Sequence, residues 1–235
     1  MTWKDLPAGA RDCLERLTAA GFAAYPVGGC VRDLLLGRAP GDVDVCTAAR
    51  PERVMELFPN AVPTGIQHGT VTVPTPDGPV EVTTFRREGG YADGRHPDAV
   101  TFDAGLTEDL SRRDFTVNAM ALAPDGAVVD PFGGQRDLEG QVIRCVGDPD
   151  RRFSEDALRM LRGVRFAAQL GFSIEPETWA AMGRNAPLTA KVSRERIKAE
   201  MEKTLLSPRP QRIAAMVQAG LLDHLHPMPK GPELD

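Results

Sequence analysis

Two aspartates one residue apart are the part of the chain best suited to chemistry. Residues 41–45 read GDVDV, in which polar and apolar residues alternate with a period of two. On a β-strand this alternation puts Asp42 and Asp44 on one face and the two valines in the core. Two carboxylates on one face can share a divalent cation such as Mg²⁺, which prefers oxygen ligands. A pair of this kind is more often a solvated strand edge, so the neighbouring motifs decide between the two interpretations.

A glycine pair upstream supplies the second part of a candidate site. Residues 22–27 are apolar enough for a buried strand, and Gly28 and Gly29 permit a tight turn after it. The backbone N–H groups of such a turn can approach phosphates, and a short helix over residues 31–36 would place Arg32 beside them. A carboxylate pair and a phosphate-binding turn are together the parts that nucleotide transfer to a hydroxyl requires.

The elements that must position these residues predict an α+β fold. The spacing of apolar residues predicts a mixed β-sheet flanked by helices, with helices over residues 6–20 and 51–58 and strands over residues 62–66, 70–74, 80–85 and 142–146. Beyond residue 148 helix follows helix, and Ser154 is a good N-cap for a helix that ends near Leu170. The predicted domains are a catalytic head (1–146), a helical neck (147–206) and the start of a body domain (207–235).

The order of the motifs resembles a known catalytic signature. GG followed by Arg-Asp and then DxD matches the DNA-polymerase-β-like nucleotidyltransferases, and the segments EDLSRRDFTVNA and EDALRMLR resemble the bacterial class II tRNA nucleotidyltransferase (CCA-adding) and poly(A) polymerase family. The resemblance implies a polymerase-β-like head and an all-α neck. It also implies an Mg²⁺-dependent, template-independent enzyme that adds CMP and AMP, from CTP and ATP, to the 3′ end of tRNA and releases pyrophosphate. Poly(A) tailing of other RNA and a non-catalytic nucleotide-binding fragment stay open as alternatives.

The resemblance also assigns roles to residues of the head. Asp42 and Asp44 are implied to be the catalytic carboxylates and to bind two Mg²⁺ ions. Asp114 is implied to accept a hydrogen bond from the 2′-hydroxyl, which separates ribonucleotides from deoxyribonucleotides. The residues of the head implied to bind the nucleotide are Gly28, Gly29, Arg32, Arg113 and Asp114. An Arg-Asp pair closing a helix end is the simpler interpretation of the last two.

One segment of the neck is implied to select the nucleotide. Asp156 and Arg159 match an Asp and an Arg that hydrogen-bond the base edge of ATP or CTP. The chemistry suits the task, because adenine and cytosine carry an exocyclic amine where uracil and guanine carry a carbonyl oxygen. A surface ion pair three residues apart is the alternative interpretation. Arg162 and Arg165 are carried over as nucleotide-binding residues by resemblance alone.

Two other features of the head bear on the site. Glu81 lies on a predicted strand, where it is either a third carboxylate facing the metal site or an ordinary exposed residue. Residues 86–101, RREGGYADGRHPDAVT, read as a long loop without periodicity, and loops of this length are commonly functional. In the family such a loop helps to reorganise the nucleotide site, and its full length here favours an enzyme that can add A. We expect His96 to be exposed rather than catalytic.

Composition limits the class of protein. The chain of 235 residues carries a net charge of −5, which argues mildly against nucleic-acid binding, but its arginines are clustered and could form a local basic cleft. The four cysteines have no CxxC spacing, no signal peptide is apparent, and no apolar run approaches the roughly 20 residues of a membrane helix. We therefore expect a cytoplasmic protein with reduced cysteines and no membrane contact. Its oligomeric state is open, and a second chain could supply RNA-gripping domains that the family normally carries further on.

Overall fold

A seven-stranded mixed β-sheet forms the centre of the N-terminal unit. The computed structural model describes residues 1–89 and 99–224, which divide into one unit of residues 1–89 and 99–140 and another of residues 141–224. The strands of the first unit are β1 (Ala24–Val27), β2 (Val43–Thr47), β3 (Val62–Gly65), β4 (Thr70–Val73), β5 (Val80–Thr84), β6 (Arg87–Gly89), β7 (Ala99–Thr101), β8 (Ala121–Leu122) and β9 (Val128–Val129). The large sheet has the order β3-β4-β5-β2-β1-β8-β9, in which only β2 and β5 run parallel.

Helices flank this sheet, as the sequence predicts. They are α1 (Ala8–Ala19), α2 (Gly29–Leu35), α3 (Pro51–Leu57), α4 (Leu106–Ser111) and α5 (Gly134–Glu139), with 3₁₀ turns at Trp3–Asp5, Ile66–His68 and Thr116–Asn118. Helix α1 ends before Gly21, whose φ of +86° suits glycine and closes the helix. It packs against β1, β2 and β5 with Leu14 and Leu17 fully buried. Burying each leucine contributes about 1.5–3 kcal/mol, so this helix is a main source of the unit's stability.

The alternation along β2 separates the two faces of the sheet. Val43 and Val45 are buried on one face, and Cys46 on the other packs with Phe85 and Leu110 in an apolar cluster. Asp44 points to the same side as Cys46, because strand residues two apart share a face. Asp44 therefore lies on the same face of the sheet as this apolar cluster. The predicted α+β head with a mixed sheet is confirmed.

The second unit is built from helices and one short pair of strands. Its elements are β10 (Val142–Ile143), α6 (Pro149–Glu155), α7 (Leu158–Leu170), β11 (Ser173–Ile174), α8 (Pro176–Asn185), α9 (Arg194–Leu205) and α10 (Ala214–Gln218), with 3₁₀ segments at Ala186–Lys191 and Pro210–Ile213. Strand β10 pairs in parallel with β11. The prediction that the strand near residue 142 is the last strand of the head is therefore wrong. Its pairing partner β11 lies about 30 residues further along the chain, and closing a loop of that length costs little free energy.

The predicted single helix after Ser154 is also wrong. Helix α6 starts earlier, where Asp148 accepts hydrogen bonds from the backbone N–H groups of Asp150 and Arg151. It ends at Glu155, and Asp156 adopts an extended backbone with φ −149° and ψ 104°. The Asp156 carboxylate accepts a hydrogen bond from the N–H of Leu158 at 3.1 Å and so caps α7. Short polar side chains compete with helical hydrogen bonding in this way, which explains the break.

The long segment at residues 86–101 is not wholly irregular. Its two ends form the antiparallel pair β6 and β7, in which Arg87 is opposite Thr101. Residues 90–98, which include His96 and the whole stretch GYADGRHP, lie outside the described residues. Within the described ranges, none of the helices combines the length and apolar character needed to span a membrane. The four cysteines are buried and free, as expected.

Candidate functional site

The predicted carboxylate pair lies at the middle of the large sheet. Asp44 is half-buried on β2, the central strand, and its register partners are Val27 on β1 and Glu81 on β5. Asp42 is exposed and lies in the bend just before β2, one residue outside the strand in which the sequence analysis predicts it. Cross-strand partners share a face of a sheet, so Glu81 stands beside Asp44.

Glu81 is electrostatically coupled to both aspartates. Desolvation by the surrounding protein, followed by the negative charges of Asp44 and Asp42, raises the pKa of the Glu81 carboxyl above its ordinary value. Like charges raise a carboxyl pKa only when they are close, so these three acids occupy one small region. A bound cation would relieve their repulsion.

The donor set fits a hard cation that shares its coordination with a substrate. In the part of the chain that the structure describes, no group of three or more His, Cys, Asp or Glu side chains is arranged to enclose a metal by itself. Mg²⁺ does not need such a cage, because it is usually bound through one or two carboxylates together with waters and substrate phosphates. Asp42 and Asp44 therefore suit a metal that binds with a triphosphate.

Gly28 brings the glycine turn against the carboxylate. Its backbone has φ +76° and ψ −132°, a conformation that side chains of L-residues rarely adopt, and its N–H donates to the Met120 carbonyl at 3.1 Å. A Cβ placed on Gly28 would lie 2.9 Å from Nη1 of Arg113 and 3.7 Å from Oδ2 of Asp44. Three residues from separate parts of the chain thus lie close together at this turn.

Asp109 holds the arginine that faces this turn. Its carboxylate is fully buried and pairs with Nη2 of Arg112 at 2.9 Å and with Nη2 of Arg113 at 3.5 Å. Within the described ranges, the buried Nε of Arg113 and Oδ2 of Asp109 have no hydrogen-bond partner. The Asp109 carboxylate therefore fixes one edge of the Arg113 guanidinium, and Nη1 is directed towards Gly28.

Asn118 connects the other two predicted residues of the head. Nη1 of Arg32 donates to Oδ1 of Asn118 at 2.8 Å, and Nδ2 of Asn118 donates to Oδ1 of Asp114 at 3.2 Å. Asp114 also accepts from the N–H of Phe115 at 2.8 Å. Arg32 and Asp114 therefore belong to one hydrogen-bonded network behind the glycine turn.

The sequence reasoning missed two residues of this arrangement. Asp109 on α4 precedes Arg112 and Arg113 by three and four residues, a spacing that indicates ion pairs and could have identified it. No sequence signal relates Asn118 to Arg32, which lies 86 residues earlier. That contact depends on how the Thr116–Asn118 turn packs against α2.

The predicted base-reading residues of the second unit have well-defined partners. Arg196 on α9 donates to Asp156 through Nη2 to Oδ2 at 2.8 Å and through Nη1 to Oδ1 at 3.4 Å. Nη1 of Arg159 pairs with Oε2 of Glu155 at 2.8 Å and donates to the Arg152 carbonyl at 3.0 Å. The expected alternative of a simple pair between Asp156 and Arg159 is therefore replaced by two separate ion pairs.

The two arginines carried over by resemblance have different surroundings. Arg162 is half-buried, with its guanidinium 5.3 Å from the ring centre of Phe166. Arg165 is buried, pairs with Glu200 on α9 and donates to Oε1 of Gln169 at 2.9 Å. The structure thus gives Arg165 a role in joining α7 to α9, and its contact with a nucleotide stays a prediction.

Comparisons with known proteins identify the family of this chain. Residues 24–144 match the family model "Poly A polymerase head domain", and residues 171–230 match "Probable RNA and SrmB- binding site of polymerase A". The chain is 51% identical to the CCA-adding enzyme of Limosilactobacillus fermentum over 223 residues, which are 94% of this chain and 56% of that protein. The chain spans about half the length of the curated relatives it matches.

Solved structures share the fold. The Bacillus stearothermophilus CCA-adding enzyme in complex with CTP superimposes with a TM-score of 0.84 at 46% identity, covering 91% of this chain and 52% of that one. The Thermotoga maritima CCA-adding enzyme complexed with tRNA superimposes with a TM-score of 0.75 at 26% identity, covering 94% of this chain and 53% of that one. With the head model matching residues 24–144, these likenesses place the chain in the poly A polymerase head domain family.

Proposed function

We propose that the chain carries the catalytic and nucleotide-selecting parts of a template-independent RNA nucleotidyltransferase. It adds CMP and AMP from CTP and ATP to the 3′ end of tRNA and releases pyrophosphate. The observation that carries this proposal is the meeting of Gly28, Arg113 and Asp44 at one point, which joins a phosphate-binding turn to a metal-binding carboxylate. Relatives named CCA-adding enzymes, and complexes of such enzymes with CTP and tRNA, support the choice of substrates.

Asp42 and Asp44 hold the divalent cation in this proposal, and we take the cation to be Mg²⁺. When bound, Mg²⁺ lowers the pKa of the RNA 3′-hydroxyl and neutralises charge on the triphosphate and the departing pyrophosphate. Glu81 stands beside the pair and adds negative charge to the same face of the sheet. The two aspartates would thus hold the cation, with Glu81 adding charge nearby.

The glycine turn and its arginines bind the triphosphate. The backbone N–H of Gly29 approaches the phosphates, whereas Gly28, whose own N–H donates to the Met120 carbonyl, shapes the turn beside Arg113. Arg32 and Arg113 supply positive charge, and each is already held by a buried partner, which limits the entropy lost on binding. Asp114 accepts a hydrogen bond from the ribose 2′-hydroxyl.

Selection of the base is assigned to the second unit. The Asp156 carboxylate accepts a hydrogen bond from the exocyclic amine of cytosine or adenine, and Arg159 donates to a ring nitrogen or carbonyl. Arg196 and Glu155 hold these two side chains in place through charge-assisted hydrogen bonds. Uracil and guanine present a carbonyl oxygen to the carboxylate and are rejected. Arg162 and Arg165 stay proposed contributors to nucleotide binding.

Two alternatives have specific support. The matching head model is named for poly A polymerase, which favours A-tailing of other RNA 3′ ends. The second alternative is a nucleotide-binding portion without catalysis, and the chain spans about half the length of the curated relatives it matches. The intact carboxylate pair favours an active enzyme over that second alternative. Four free cysteines suit a reducing compartment, and we propose the cytoplasm.

Incubating the protein with Mg²⁺ and each labelled nucleotide separately tests the proposal. One RNA is tRNA lacking its 3′ CCA, and the other is an unstructured RNA. We expect incorporation of C and A, but not of U or G, into the tRNA. Efficient A-tailing of the unstructured RNA without C addition would favour poly(A) polymerase, and no transfer to either RNA would favour a binding portion.

Substitution of the carboxylates tests the assignment of the site. Asp42→Ala and Asp44→Asn should abolish transfer of every nucleotide, by about 10³-fold or more if several kcal/mol of metal stabilisation are lost. The matched control is Asp12→Asn on α1, an exposed aspartate that pairs with Arg16 at 3.6 Å. It should leave the transfer rate unchanged, because exposed ion pairs contribute little.

A further inference from the structure

The buried side-chain amide of Asn118 contacts two residues with different proposed roles, Arg32 and Asp114. It is the last residue of the Thr116–Asn118 turn, and only 6% of its surface is exposed. Its Oδ1 accepts from Arg32 at 2.8 Å, and its Nδ2 donates to Asp114 at 3.2 Å. A guanidinium can only donate and an ionised carboxylate can only accept, so the two partners fix the orientation of the amide.

The backbone around Asn118 also supports the glycine turn. Its carbonyl oxygen lies 3.8 Å from the Cβ position of Gly28, and the carbonyl of Met120 accepts from the Gly28 N–H. The turn that carries the amide is therefore packed against the turn that is proposed to bind phosphate. A shift of Asn118 would be transmitted to both.

Arg32 and Asp114 each make a further hydrogen bond besides the one to Asn118. Nε of Arg32 donates to Oδ1 of Asp33 at 2.9 Å, and Asp114, which is 7% exposed, accepts from the N–H of Phe115. Both side chains thus have limited freedom, and the Asn118 amide is the link between them.

We propose that Asn118 is a positioning residue that couples binding of the triphosphate by Arg32 to recognition of the ribose 2′-hydroxyl by Asp114. This inference rests on the proposed function, since it takes Arg32 and Asp114 as nucleotide-binding residues. Asparagine is required because it offers an acceptor to the arginine and a donor to the carboxylate at once. Aspartate would keep the acceptor and set a second carboxylate against Asp114, and an apolar residue would lose both contacts.

Equilibrium binding of ATP and of dATP, with Mg²⁺ present, tests the coupling without requiring catalysis. Asn118→Asp should lower the preference for ATP over dATP by about tenfold or more, since it replaces the donor to Asp114. Asn118→Ala should lower that preference and also weaken ATP binding by about tenfold, since it removes the acceptor for Arg32 as well. Far-UV circular dichroism and thermal unfolding establish that each variant is folded.

Thr116→Val is the matched control. Thr116 is buried in the same turn, and its hydroxyl donates to Oδ2 of Asp137 at 2.7 Å, away from Arg32 and Asp114. It should lose stability as the Asn118 variants do, yet keep the preference for ATP over dATP. A merely structural role for Asn118 predicts that all three variants behave alike, and that result would overturn the inference.

Asn118→Ala keeps the test decisive if Asn118→Asp does not fold. Its small apolar side chain removes both hydrogen bonds of the amide and adds no charge beside Asp114, whose Oδ1 still accepts from the N–H of Phe115. A folded Asn118→Ala that keeps the wild-type preference for ATP over dATP overturns the inference.

Failure of the inference differs from failure of the proposed function. A wild-type chain that transfers CMP and AMP but binds ATP and dATP equally overturns the inference and the role of Asp114 in recognising the ribose, and leaves the proposed transfer reaction standing. A wild-type chain that neither binds nor transfers nucleotides overturns the proposed function, and the inference falls with it.

Discussion

Replacing Gly28 with alanine tests the geometry at the centre of the site. The added Cβ would lie 2.9 Å from Nη1 of Arg113, a separation that real Cβ atoms essentially never show, so the guanidinium has to move. A non-glycine residue in a sparsely populated region with positive φ costs about 1–3 kcal/mol. For a chain of this size each kcal/mol lowers the melting temperature by roughly 2–4 °C.

The expected effect on activity exceeds the effect on stability. A misplacement of a binding group by about 1 Å can cost on the order of 10²-fold in rate. We therefore expect Gly28→Ala to lower kcat/KM for CMP and AMP addition by about 10–100-fold while the protein still folds. Transfer of labelled nucleotide to tRNA lacking its 3′ CCA, together with thermal unfolding, measures both effects.

Gly37→Ala is the matched control for backbone strain. Gly37 also has positive φ, +69°, but nothing lies within 4 Å of the Cβ that alanine would add. It should lose about 1–2 kcal/mol of stability and keep its kcat/KM. If Gly28→Ala retained kcat/KM like Gly37→Ala, the argument that Gly28, Arg113 and Asp44 form one site would be refuted.

Three contacts elsewhere in the chain lead to further outcomes. Asp156→Ala should leave metal binding by the head intact but let UTP compete with CTP, and continued exclusion of UTP in a competition assay would contradict base reading. Glu200→Ala should lower the free energy of unfolding in urea by about 3–5 kcal/mol, because it leaves the charge of Arg165 buried without this carboxylate. Adding Arg165→Met should recover most of that loss, and no recovery would contradict the importance of the ion pair. Burial, and then the charge of Asp44, raises the pKa of the Cys30 thiol to about 12. This folded pKa exceeds the unfolded value of about 8.5. The contribution of Cys30 to the free energy of unfolding should therefore not change with pH below about 8.5 and should be lost as pH rises towards 12. Native Cys30 should also resist a thiol reagent that reacts rapidly after unfolding.

Local sequence patterns were sufficient for most of the head. Alternation of apolar residues predicts the strands now seen as β2, β4 and β5, because one buried face forces a period of two. The glycine turn and the DxD pair could be assigned to their elements for the same reason. Asp42 differs by one position, since hydrogen bonding of the sheet begins at Val43.

Patterns failed where a distant partner decides the local structure. The expected helix through Asp156 is interrupted because that carboxylate caps α7 and is paired with Arg196, which lies 40 residues later. The strand at Val142–Ile143 was assigned to the wrong unit because pairing with Ser173–Ile174 leaves no mark in either short segment. Arg165 reads as one of several arginines until Glu200 is seen to face it.

The sequence by itself determined the chemistry available to this protein and the elements that carry it. Residue type and spacing are local properties, so they specify two carboxylates on a strand, a glycine turn before a helix and arginines at known positions. Tertiary structure alone decided which of these groups meet, because hydrogen bonds and ion pairs depend on distances of about 3 Å between residues far apart in the chain. It brought Arg113 and Asp44 to Gly28, and it joined Arg32 to Asp114 through an asparagine that lies in a recognised motif but had been given no role.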